Sequence, residues 1–431
     1  MLRRLAITGA AAFATPFGLA GCATPVSRRL GRIVVIGGGF AGAAFASEIK
    51  SLAGDRVDVR LIEQRRHYVA WPLTARAIGR SDGDPLRART VDWIGLRARG
   101  TVVIEDRVTA IDPARRSLRL SRGQRLEWDR LVLATGAQPR PDAIRGWDGE
   151  AARERIPLAW FPEQVWRGLT RRLQALPEHG TVVLGLPRAP VSGPWAGYER
   201  ATVLAGWLAR ERPGARLIVL DGNRSPAGIG PDFPGLWQRQ FGGRVDYRPG
   251  DQVVAVEPRA GLLLTEFNER IPGDLIDLMP PVDAGELARQ TGLLDRRDTW
   301  CGRSGPLFES DRIAGIHLLG DLAAGPRPTA AQRVLAGPDA LMPRTAALAE
   351  AQGRWLARGL QRHLDGLPIG DAGFEAASLT GVDAGSAWQT RQRFRYAPAE
   401  GDWHSETLDD SALADPSLVR QVTDSLARIW G

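Results

Sequence analysis

Three glycines near the start of the chain have the spacing of a phosphate-binding loop. They form a G-x-G-x-x-G motif directly after the β-branched run from Arg32 to Ile36, and an Ala-rich segment follows them. This order predicts a strand, a tight turn and a helix whose N-terminus binds a pyrophosphate. The predicted dinucleotide contacts in this loop are Gly37, Gly39, Phe40, Ala41 and Gly42.

An acidic residue follows the loop at the distance that a dinucleotide site requires. Residues 57–63 are predicted to form a second strand, and Glu63 ends it about 20 residues after the last glycine. A carboxylate at this strand end accepts hydrogen bonds from ribose hydroxyls. We therefore expect Glu63 to bind the adenosine ribose.

Two later strand ends supply further polar groups. Residues 131–136 end in Thr135-Gly136, which we expect near the pyrophosphate, and residues 315–321 end in Gly-Asp. Asp321 is expected to bind a ribityl hydroxyl, and the alternative is that it caps a helix in the Ala-rich stretch that follows. The long separation of these contacts predicts a cofactor-binding domain built from two separate segments, with another domain inserted between them, an arrangement that resembles FAD-dependent disulfide-reductase-like proteins.

Composition and charge exclude several classes of function. The chain has 431 residues, 43% of them hydrophobic, which is long enough for two or three domains. Its net charge is +8, and Lys50 is the only lysine. The basic residues are interleaved with acidic ones and form no stripe, so no nucleic-acid partner is expected. The positive charge is compatible with an acidic partner or an anionic substrate.

The N-terminus has the pattern of an export signal, predicted for residues 1–29. A basic start, Met1 to Arg4, precedes an apolar run too short to span a membrane and then Leu19-Ala20-Gly21-Cys22. The paired arginines are compatible with twin-arginine export, and Leu-Ala-Gly-Cys resembles a lipoprotein signal. The alternative is an ordinary secretory signal with an incidental cysteine. We expect a periplasmic protein, with a lipid anchor at Cys22 as its only possible membrane attachment.

The cysteine count limits the redox chemistry. The chain has two cysteines, Cys22 and Cys301. If Cys22 is removed or lipidated, the mature protein has one thiol and no internal disulfide, which excludes a dithiol mechanism. The histidines and the remaining thiol show no metal-ligand spacing, so no metal site is predicted.

A second α/β unit follows, but its phosphate loop is missing. The strand predicted at residues 181–184 leads into Gly185 to Pro190, where prolines stand in place of the backbone N–H donors that a pyrophosphate needs. A nicotinamide cofactor is therefore not expected there. The predicted domains are a first FAD-binding segment (30–150), a Rossmann-like central domain (151–265), a second FAD-binding segment (266–350) and a C-terminal domain (351–431).

Several blocks in order resemble the flavoprotein subunit of flavocytochrome c sulfide dehydrogenase, a relative of sulfide:quinone reductases. The blocks span nearly the whole mature chain, and Tyr-Glu-Arg and Trp-Cys…Phe-Glu-Ser are the more particular ones. This resemblance implies an α/β fold of two Rossmann-like, three-layer β/β/α domains with a C-terminal interface domain, and a c-type cytochrome partner. The blocks are Val34 to Gly42, Leu131 to Gly136, Gly197 to Ala201, Leu278 to Pro281 with Ala284-Gly285, Thr299 to Cys301, Phe308 to Ser310 and Gly315 to Asp321.

The chain departs from that family at its reactive cysteines. The flavin-linking cysteine falls at Ala70, one redox cysteine falls at Ser192 to Pro194, and the other falls at Phe374 to Ser378. Cys301 matches a Trp-Cys that looks structural in the family. We therefore expect non-covalent FAD and no sulfide oxidation through a cysteine disulfide, because serine cannot replace a thiolate nucleophile.

Two hypotheses for function follow. The first is an exported FAD-dependent oxidoreductase that passes electrons between an unknown small donor and a cytochrome-type acceptor. Glu199 is its candidate acid/base, with an ion pair to Arg200 or a neighbour as the alternative. Trp71 and Trp195 either fill the space of the missing cysteines or pack in the core. The second hypothesis is a non-catalytic FAD-binding subunit that holds a partner through its tail tryptophans (Trp388, Trp403 and Trp430).

Overall fold

The computed structural model has the α/β fold expected from the sequence. It describes residues 30–72, 74–80, 86–159, 162–226, 232–294, 298–324, 343–370, 373–383, 387–397, 402–408 and 416–431. The predicted export signal, with Cys22, lies outside the described residues. No described helix is both long and apolar enough to cross a bilayer.

The elements follow one another in this order. The helices are α1 (Phe40–Ala53), α2 (Ile94–Ala98), α3 (Glu150–Arg155), α4 (Pro162–Gln174), α5 (Ala196–Glu211), α6 (Phe233–Phe241), α7 (Glu286–Gln290), α8 (Ala346–Leu364) and α9 (Pro416–Trp430). The strands are β1 (Gly31–Ile36), β2 (Val57–Glu63), β3 (Tyr68–Val69), β4 (Thr90–Val91), β5 (Val102–Glu105), β6 (Val108–Asp112), β7 (Ser117–Leu120), β8 (Arg125–Glu127), β9 (Arg130–Leu133), β10 (Gln138–Pro139), β11 (Thr181–Leu186), β12 (Arg216–Asp221), β13 (Val245–Pro249), β14 (Val253–Glu257), β15 (Leu262–Thr265), β16 (Arg270–Pro272), β17 (Leu275–Leu278), β18 (Val282–Asp283), β19 (Arg303–Ser304), β20 (Glu309–Ser310), β21 (Ile316–Leu318), β22 (Phe374–Asp383), β23 (Ala387–Ala397) and β24 (Asp402–Leu408).

The first sheet is parallel at its centre, with the order β19-β20-β21-β9-β1-β2-β5. Strands β21, β9, β1, β2 and β5 pair in parallel, and β19 and β20 add an antiparallel edge. The last four residues of β1 are buried, as a continuous apolar run predicts for a strand covered on both faces. The carboxyl ends of β1, β2, β9 and β21 therefore lie along one edge, where Rossmann-type folds bind their ligands.

The second sheet is parallel throughout, with the order β13-β12-β11-β17. Antiparallel three-stranded sheets, β6-β7-β8 and β14-β15-β16, accompany the two parallel sheets, and β22-β23-β24 form a separate antiparallel meander. Two Rossmann-like units with added β layers match the predicted fold class.

Of the domain limits predicted from sequence, one separates strands that pair in the same sheet and another divides a helix. The limit at 265 precedes β17, yet β17 pairs with β11 in the second sheet. The limit at 350 falls within α8. The chain therefore leaves the second sheet after Leu278, and α8 continues across the predicted start of the C-terminal domain.

Close packing of α8 on α1 holds the glycine loop against the rest of the unit. Gly353 of α8 has no room for a Cβ atom, which would overlap the carbonyl oxygen of Ala41. The facing side of α1 is alanine-rich, and Ala43 and Ala44 are fully buried. Small residues on both helices let the two backbones approach. The first residues of both helices line the same cavity at the sheet edge.

Candidate cofactor site

The glycine loop between β1 and α1 has the geometry of a dinucleotide cradle. Gly37 has a φ of 102°, and a Cβ atom there would overlap the carbonyl oxygen of Ala134. A Cβ atom on Gly42 would overlap the carbonyl oxygen of Gly37. The outer glycines are therefore required by the protein's own packing. Gly39 differs, because the nearest atom to a Cβ there is the Tyr68 hydroxyl at 3.8 Å. The backbone at Gly39 is thus open to an approaching ligand.

The N-terminus of α1 favours an anion at this loop. The helix begins at Phe40, and its first turn contains no acidic residue. Its free N–H groups and its dipole therefore present partial positive charge. Phe40 and Ala41 both line the cavity in front of the loop. These features fit a pyrophosphate.

Glu63 lies at the end of β2 and already makes two hydrogen bonds. Its Oε2 accepts from the N–H of Gly38 at 2.9 Å, and its Oε1 accepts from the N–H of Arg65 at 3.1 Å. Each carboxylate oxygen can accept a further hydrogen bond, and the side chain borders the cavity. Contact of Glu63 with a ribose stays a prediction that this arrangement allows.

Asp321 is held by a hydroxyl from the central unit. Its Oδ2 accepts from the Ser192 hydroxyl at 2.6 Å, and burial raises the pKa of the Asp321 carboxyl above its usual 3.8. Asp321 lies inside the short turn Gly320–Leu322 just after β21, and its side chain is not the N-cap of that turn. The described residues therefore show it facing the cavity, and no described helix is capped by it.

Most of the predicted contacts line one cavity of about 410 Å³. They lie at the carboxyl ends of four strands, β1, β2, β9 and β21. The size of the cavity lies within the range of small-molecule sites. Gly42 is not among its lining residues and instead packs behind the loop. The predicted residues that line it are Gly37, Gly39, Phe40, Ala41, Glu63, Thr135, Gly136, Glu199 and Asp321.

A second helix N-terminus borders the same cavity. Thr345 caps α8, since its Oγ1 accepts from the N–H of Leu348 at 3.3 Å, and Ala346 and Ala347 line the cavity. The partial positive charge of this helix end favours an anionic group in the cavity. Sequence reasoning missed this contribution because α8 has no glycine motif that identifies its role.

Arg344, just before α8, was also missed. Its Nε donates to the Asp321 carbonyl oxygen at 3.0 Å, and its guanidinium lies 3.7 Å from the centre of the Trp300 ring. Burial lowers the pKa of Arg344 to about 10. The arginine therefore stays charged at neutral pH and fixes the backbone of the turn that carries Asp321.

Among the described residues, no cysteine lines the cavity. Ser192 lines it at the place of one redox cysteine, and Trp71 lines it beside Ala70, which is fully buried and outside the lining. Ala376 lies in β22, away from the cavity lining. Cys301 is fully buried, and burial raises the pKa of its thiol to about 12. No cluster of metal-ligating side chains occurs within the described ranges.

Glu199 lies in the first turn of α5 and borders the cavity. Its neighbour Arg200 binds Asp277 instead, with Nη2 2.8 Å from Oδ1 and Nε on Oδ2. Arg200 is thus engaged by Asp277, and an ion pair of Glu199 with another neighbour stays open as the alternative to an acid/base role. Trp195 is buried, and both it and Trp71 line the cavity.

The strand end of the central unit that corresponds to Glu63 in the first sheet is not accessible to a ligand. Asp221 ends β12 and is fully buried. Its Oδ2 accepts from the hydroxyls of Tyr198 and Tyr247, each at 2.8 Å, and its Oδ1 accepts from Asn223. The carboxylate that would bind a second nucleotide's ribose is thus already covered and satisfied by the protein.

The C-terminal helix α9 contributes an unexpected wall to the cavity, through Gln421, Val422, Ser425 and Arg428. Trp430 is buried, with 3% of its surface exposed. The prediction that Trp430 holds a partner is therefore wrong for this structure, because its ring packs inside the protein. The side chains of Trp388 and Trp403 lie outside the described residues.

Comparison with known proteins identifies two family matches. Residues 31–158 match the family described as pyridine nucleotide-disulphide oxidoreductase. Residues 167–280 match the family described as the central region of the flavoprotein chain of sulfide dehydrogenase (flavocytochrome c). The two ranges coincide with the first parallel sheet's N-terminal strands and with the second sheet.

Individual relatives and a solved structure agree with these matches. The ferredoxin–NAD(+) reductase component of the biphenyl dioxygenase system of Paraburkholderia xenovorans (strain LB400) is 26% identical over 309 residues, 70% of each chain. Putidaredoxin reductase of Pseudomonas putida is 33% identical over 282 residues, 61% of this chain and 60% of the relative. The sulfide:quinone oxidoreductase structure from Aquifex aeolicus superposes with a TM-score of 0.72 at 19% identity, covering 93% and 91% of the chains.

Proposed function

We propose that this chain is an exported oxidoreductase of the sulfide dehydrogenase-like group within the FAD-dependent disulfide-reductase superfamily. In this proposal it passes electrons between a small donor and a cytochrome-type acceptor, without the cysteine-disulfide mechanism that the family resemblance implies. One observation carries the proposal. The glycine loop, Glu63 and Asp321 meet at one cavity that no described cysteine lines.

The residues around the cavity fit FAD. The open backbone at Gly39 and the N-terminus of α1 suit the pyrophosphate, and Glu63 has acceptor positions left for the adenosine ribose. Asp321 lines the same cavity, and we propose that it accepts a hydrogen bond from the ribityl chain. When bound, FAD supplies two-electron exchange with a donor and electron release to an acceptor. The N-terminus of α8 adds partial positive charge, which favours negative charge developing beside it.

The proposal includes FAD held without a covalent link. A thioether needs a thiol at the cofactor, and the chain has only Cys22 and Cys301. Cys301 is buried outside the cavity lining, and Ala70 carries no nucleophile. A persulfide mechanism needs a thiolate beside the flavin, and the hydroxyl of Ser192 does not provide one.

The hydrogen bonds that cover Asp221 in the central unit indicate which class of electron donor the protein uses. Two tyrosine hydroxyls donate hydrogen bonds to Asp221. Arg188, in the loop after β11, forms an ion pair with Glu266 at 2.7 Å. Within the described part of the central unit, Asp221 therefore has its acceptor positions filled and is not available to a second ribose. We therefore favour a donor other than a nicotinamide nucleotide, although the ferredoxin reductase relative is named for NAD(+).

The proposed acceptor is a c-type cytochrome subunit or a similar small redox protein. The matched central family is described as belonging to a flavocytochrome c, and putidaredoxin reductase is named for a redox partner. A net charge of +8 favours an acidic partner surface. Export to the periplasm, with an optional lipid anchor at Cys22, is the proposed location. Cell fractionation and mass spectrometry of the mature N-terminus would test it.

Anaerobic photoreduction of the purified protein, followed by mixing with ferricytochrome c, tests the proposed function. We expect the visible flavin absorbance to be lost in light and to return as the cytochrome is reduced, faster than with free FAD at the same concentration. Flavin that reduces but never reoxidises with any acceptor contradicts the enzyme proposal. That result favours the alternative, a non-catalytic FAD-binding subunit of a redox complex.

A parallel anaerobic sample receives millimolar sulfide in the dark. We expect no bleaching of the flavin, because the cavity has no described thiol to form a persulfide. Rapid bleaching by sulfide contradicts the exclusion of the family's cysteine mechanism from this proposal.

A further inference from the structure

The C-terminal helix α9 is amphipathic and docks onto the cofactor-binding unit. Val422, Leu426, Ile429 and Trp430 have helical spacing and are all less than 10% exposed. The remaining described side chains of the helix are mostly exposed. One face of the helix is thus fully covered by the rest of the protein.

The end of α9 is fixed by an aromatic cluster that includes two cavity residues. The Trp430 ring stacks on Tyr68 at a centroid distance of 5.6 Å and an interplanar angle of 19°. It meets Phe40 edge to face at 5.3 Å. Phe40 begins α1, and the Tyr68 hydroxyl is the nearest atom to the open side of Gly39. Trp430 therefore braces the residues that surround the phosphate-binding loop.

The backbone at the end of α9 fits closely against α2. Gly95 has no room for a side chain, because a Cβ atom there would overlap the carbonyl oxygen of Trp430. Arg99 adds a hydrogen bond from Nη1 to the Ile429 carbonyl oxygen at 3.4 Å. Neither Gly95 nor Arg99 lines the cavity. The docking of α9 can therefore be altered at a place that touches no cofactor contact.

The middle of α9 is tied to α8 at the cavity wall. Glu350 accepts a hydrogen bond from the Ser425 hydroxyl and another from Nε of Arg428 at 3.3 Å. All three side chains line the cavity. The docking surface of α9 and the cofactor cavity thus share Glu350, Phe40 and Tyr68.

We propose that α9 is a docked wall of the FAD site, and that its attachment through Trp430 controls how long the cofactor is retained. The inference rests on the proposed function only for the identity of the occupant. Because the helix and the cofactor share the same three residues, docking and binding are coupled, and each stabilises the other. Binding of FAD should therefore slow amide hydrogen exchange in residues 416–431.

Gly95→Ala and Trp430→Ala test this proposal, with Gly168→Ala as the matched control. Gly168 lies within α4 with no atom within 4 Å of an added Cβ. We expect FAD to dissociate about tenfold faster from Gly95→Ala and Trp430→Ala, and at the parent rate from Gly168→Ala. Dissociation is followed by the return of flavin fluorescence on dilution, and circular dichroism checks that each variant is folded.

Trp430→Phe keeps the test decisive if either loss variant fails to fold. The smaller ring keeps only part of the contact with Tyr68 and Phe40, so we expect FAD to dissociate faster than from the parent, and a parental rate contradicts the proposal. The proposal is overturned if Gly95→Ala and Trp430→Ala retain FAD as the parent does, or if FAD leaves hydrogen exchange in residues 416–431 unchanged. A parent protein that binds no FAD overturns the proposed function itself, and this outcome is distinct from equal retention by parent and variants.

Discussion

The hydroxyl of Ser192 donates a 2.6 Å hydrogen bond to the carboxylate of Asp321. Ser192 precedes α5 of the central unit, whereas Asp321 follows β21 of the first sheet. Ser192 also stands where the family resemblance places a redox cysteine. At the position where the family resemblance implies a reactive thiol, this chain thus has a hydroxyl that holds Asp321, the residue proposed to bind the ribityl chain.

Ser192→Ala should change how the stability of the FAD-free protein depends on pH. Burial raises the pKa of Asp321 above 3.8, and the Ser192 hydrogen bond opposes this rise. A raised folded-state pKa means that stability falls as pH rises from 3.8 through the folded pKa. Without the hydroxyl the folded pKa rises further, so this loss continues to higher pH and reaches about 1–2 kcal/mol at neutral pH.

Melting temperatures of the FAD-free parent and variant across pH 3 to 8 measure this effect, on the order of a few degrees at neutral pH. Ser304→Ala, which removes an exposed hydroxyl, is the control and should follow the parent. Identical profiles for Ser192→Ala and the parent would show that the hydrogen bond to Asp321 does not influence its ionisation.

Alanine substitutions at two glycines of the loop should affect different properties, stability at Gly42 and FAD binding at Gly39. Gly42→Ala should destabilise the FAD-free fold by about 1–3 kcal/mol, because the new methyl overlaps the Gly37 carbonyl oxygen. Gly39→Ala has room in the FAD-free protein, and its methyl should instead block the pyrophosphate and weaken FAD binding. Thermal melts and FAD titrations distinguish the two effects. An unfolded Gly39→Ala, or one with parental affinity, contradicts the assigned geometry.

Glu63→Gln should weaken FAD binding about tenfold, since a charged acceptor for the ribose is replaced by a neutral one. Glu105 is the matched control, because it lies opposite Glu63 in the register of β2 and β5 and ends its strand in the same way. It pairs with Arg97 at 2.8 Å and does not line the cavity. If Glu105→Gln weakens FAD binding as much as Glu63→Gln, the ribose assignment is wrong.

The thiol of Cys301 should not react with alkylating reagents in the folded protein and should have no part in electron transfer. Burial raises the pKa of its thiol to about 12, so almost no thiolate exists at pH 8. Iodoacetamide should therefore label Cys301 only after unfolding, and Cys301→Ser should keep the parental FAD content and rate of cytochrome reduction. Rapid labelling of the native protein, or loss of electron transfer in Cys301→Ser, would give the thiol a role that the structure does not indicate.

The part of the site formed by the glycine loop and Glu63 could be predicted from the sequence, because its residues lie close together along the chain. The glycine spacing and the acidic end of β2 lie within about thirty residues of chain, and a strand–turn–helix unit imposes their geometry. Asp321 could also be predicted, because Gly-Asp at a strand end is a pattern that one segment carries by itself. Its partner Ser192 could not, since 129 residues separate the two and only the packed fold joins them.

The part of the cavity formed by Arg344 and α9 depends on contacts that no sequence motif indicates. Arg344 fixes the Asp321 turn through backbone carbonyls, which any sequence possesses. The apolar spacing of Val422, Leu426 and Ile429 could have predicted an amphipathic helix, but not that it docks beside the glycine loop. The tail tryptophan Trp430 illustrates the difficulty, because an aromatic residue near a terminus fits a partner surface and an internal contact equally well.

The central claim is that this cavity holds FAD without a covalent bond, and acid precipitation tests it most directly. The purified protein is denatured in acid and centrifuged, and the flavin in the supernatant and the pellet is identified by mass spectrometry. We predict about one FAD for each chain, all of it in a yellow supernatant above a colourless pellet. A protein that carries no flavin, or flavin that remains with the precipitated chain, would contradict the claim.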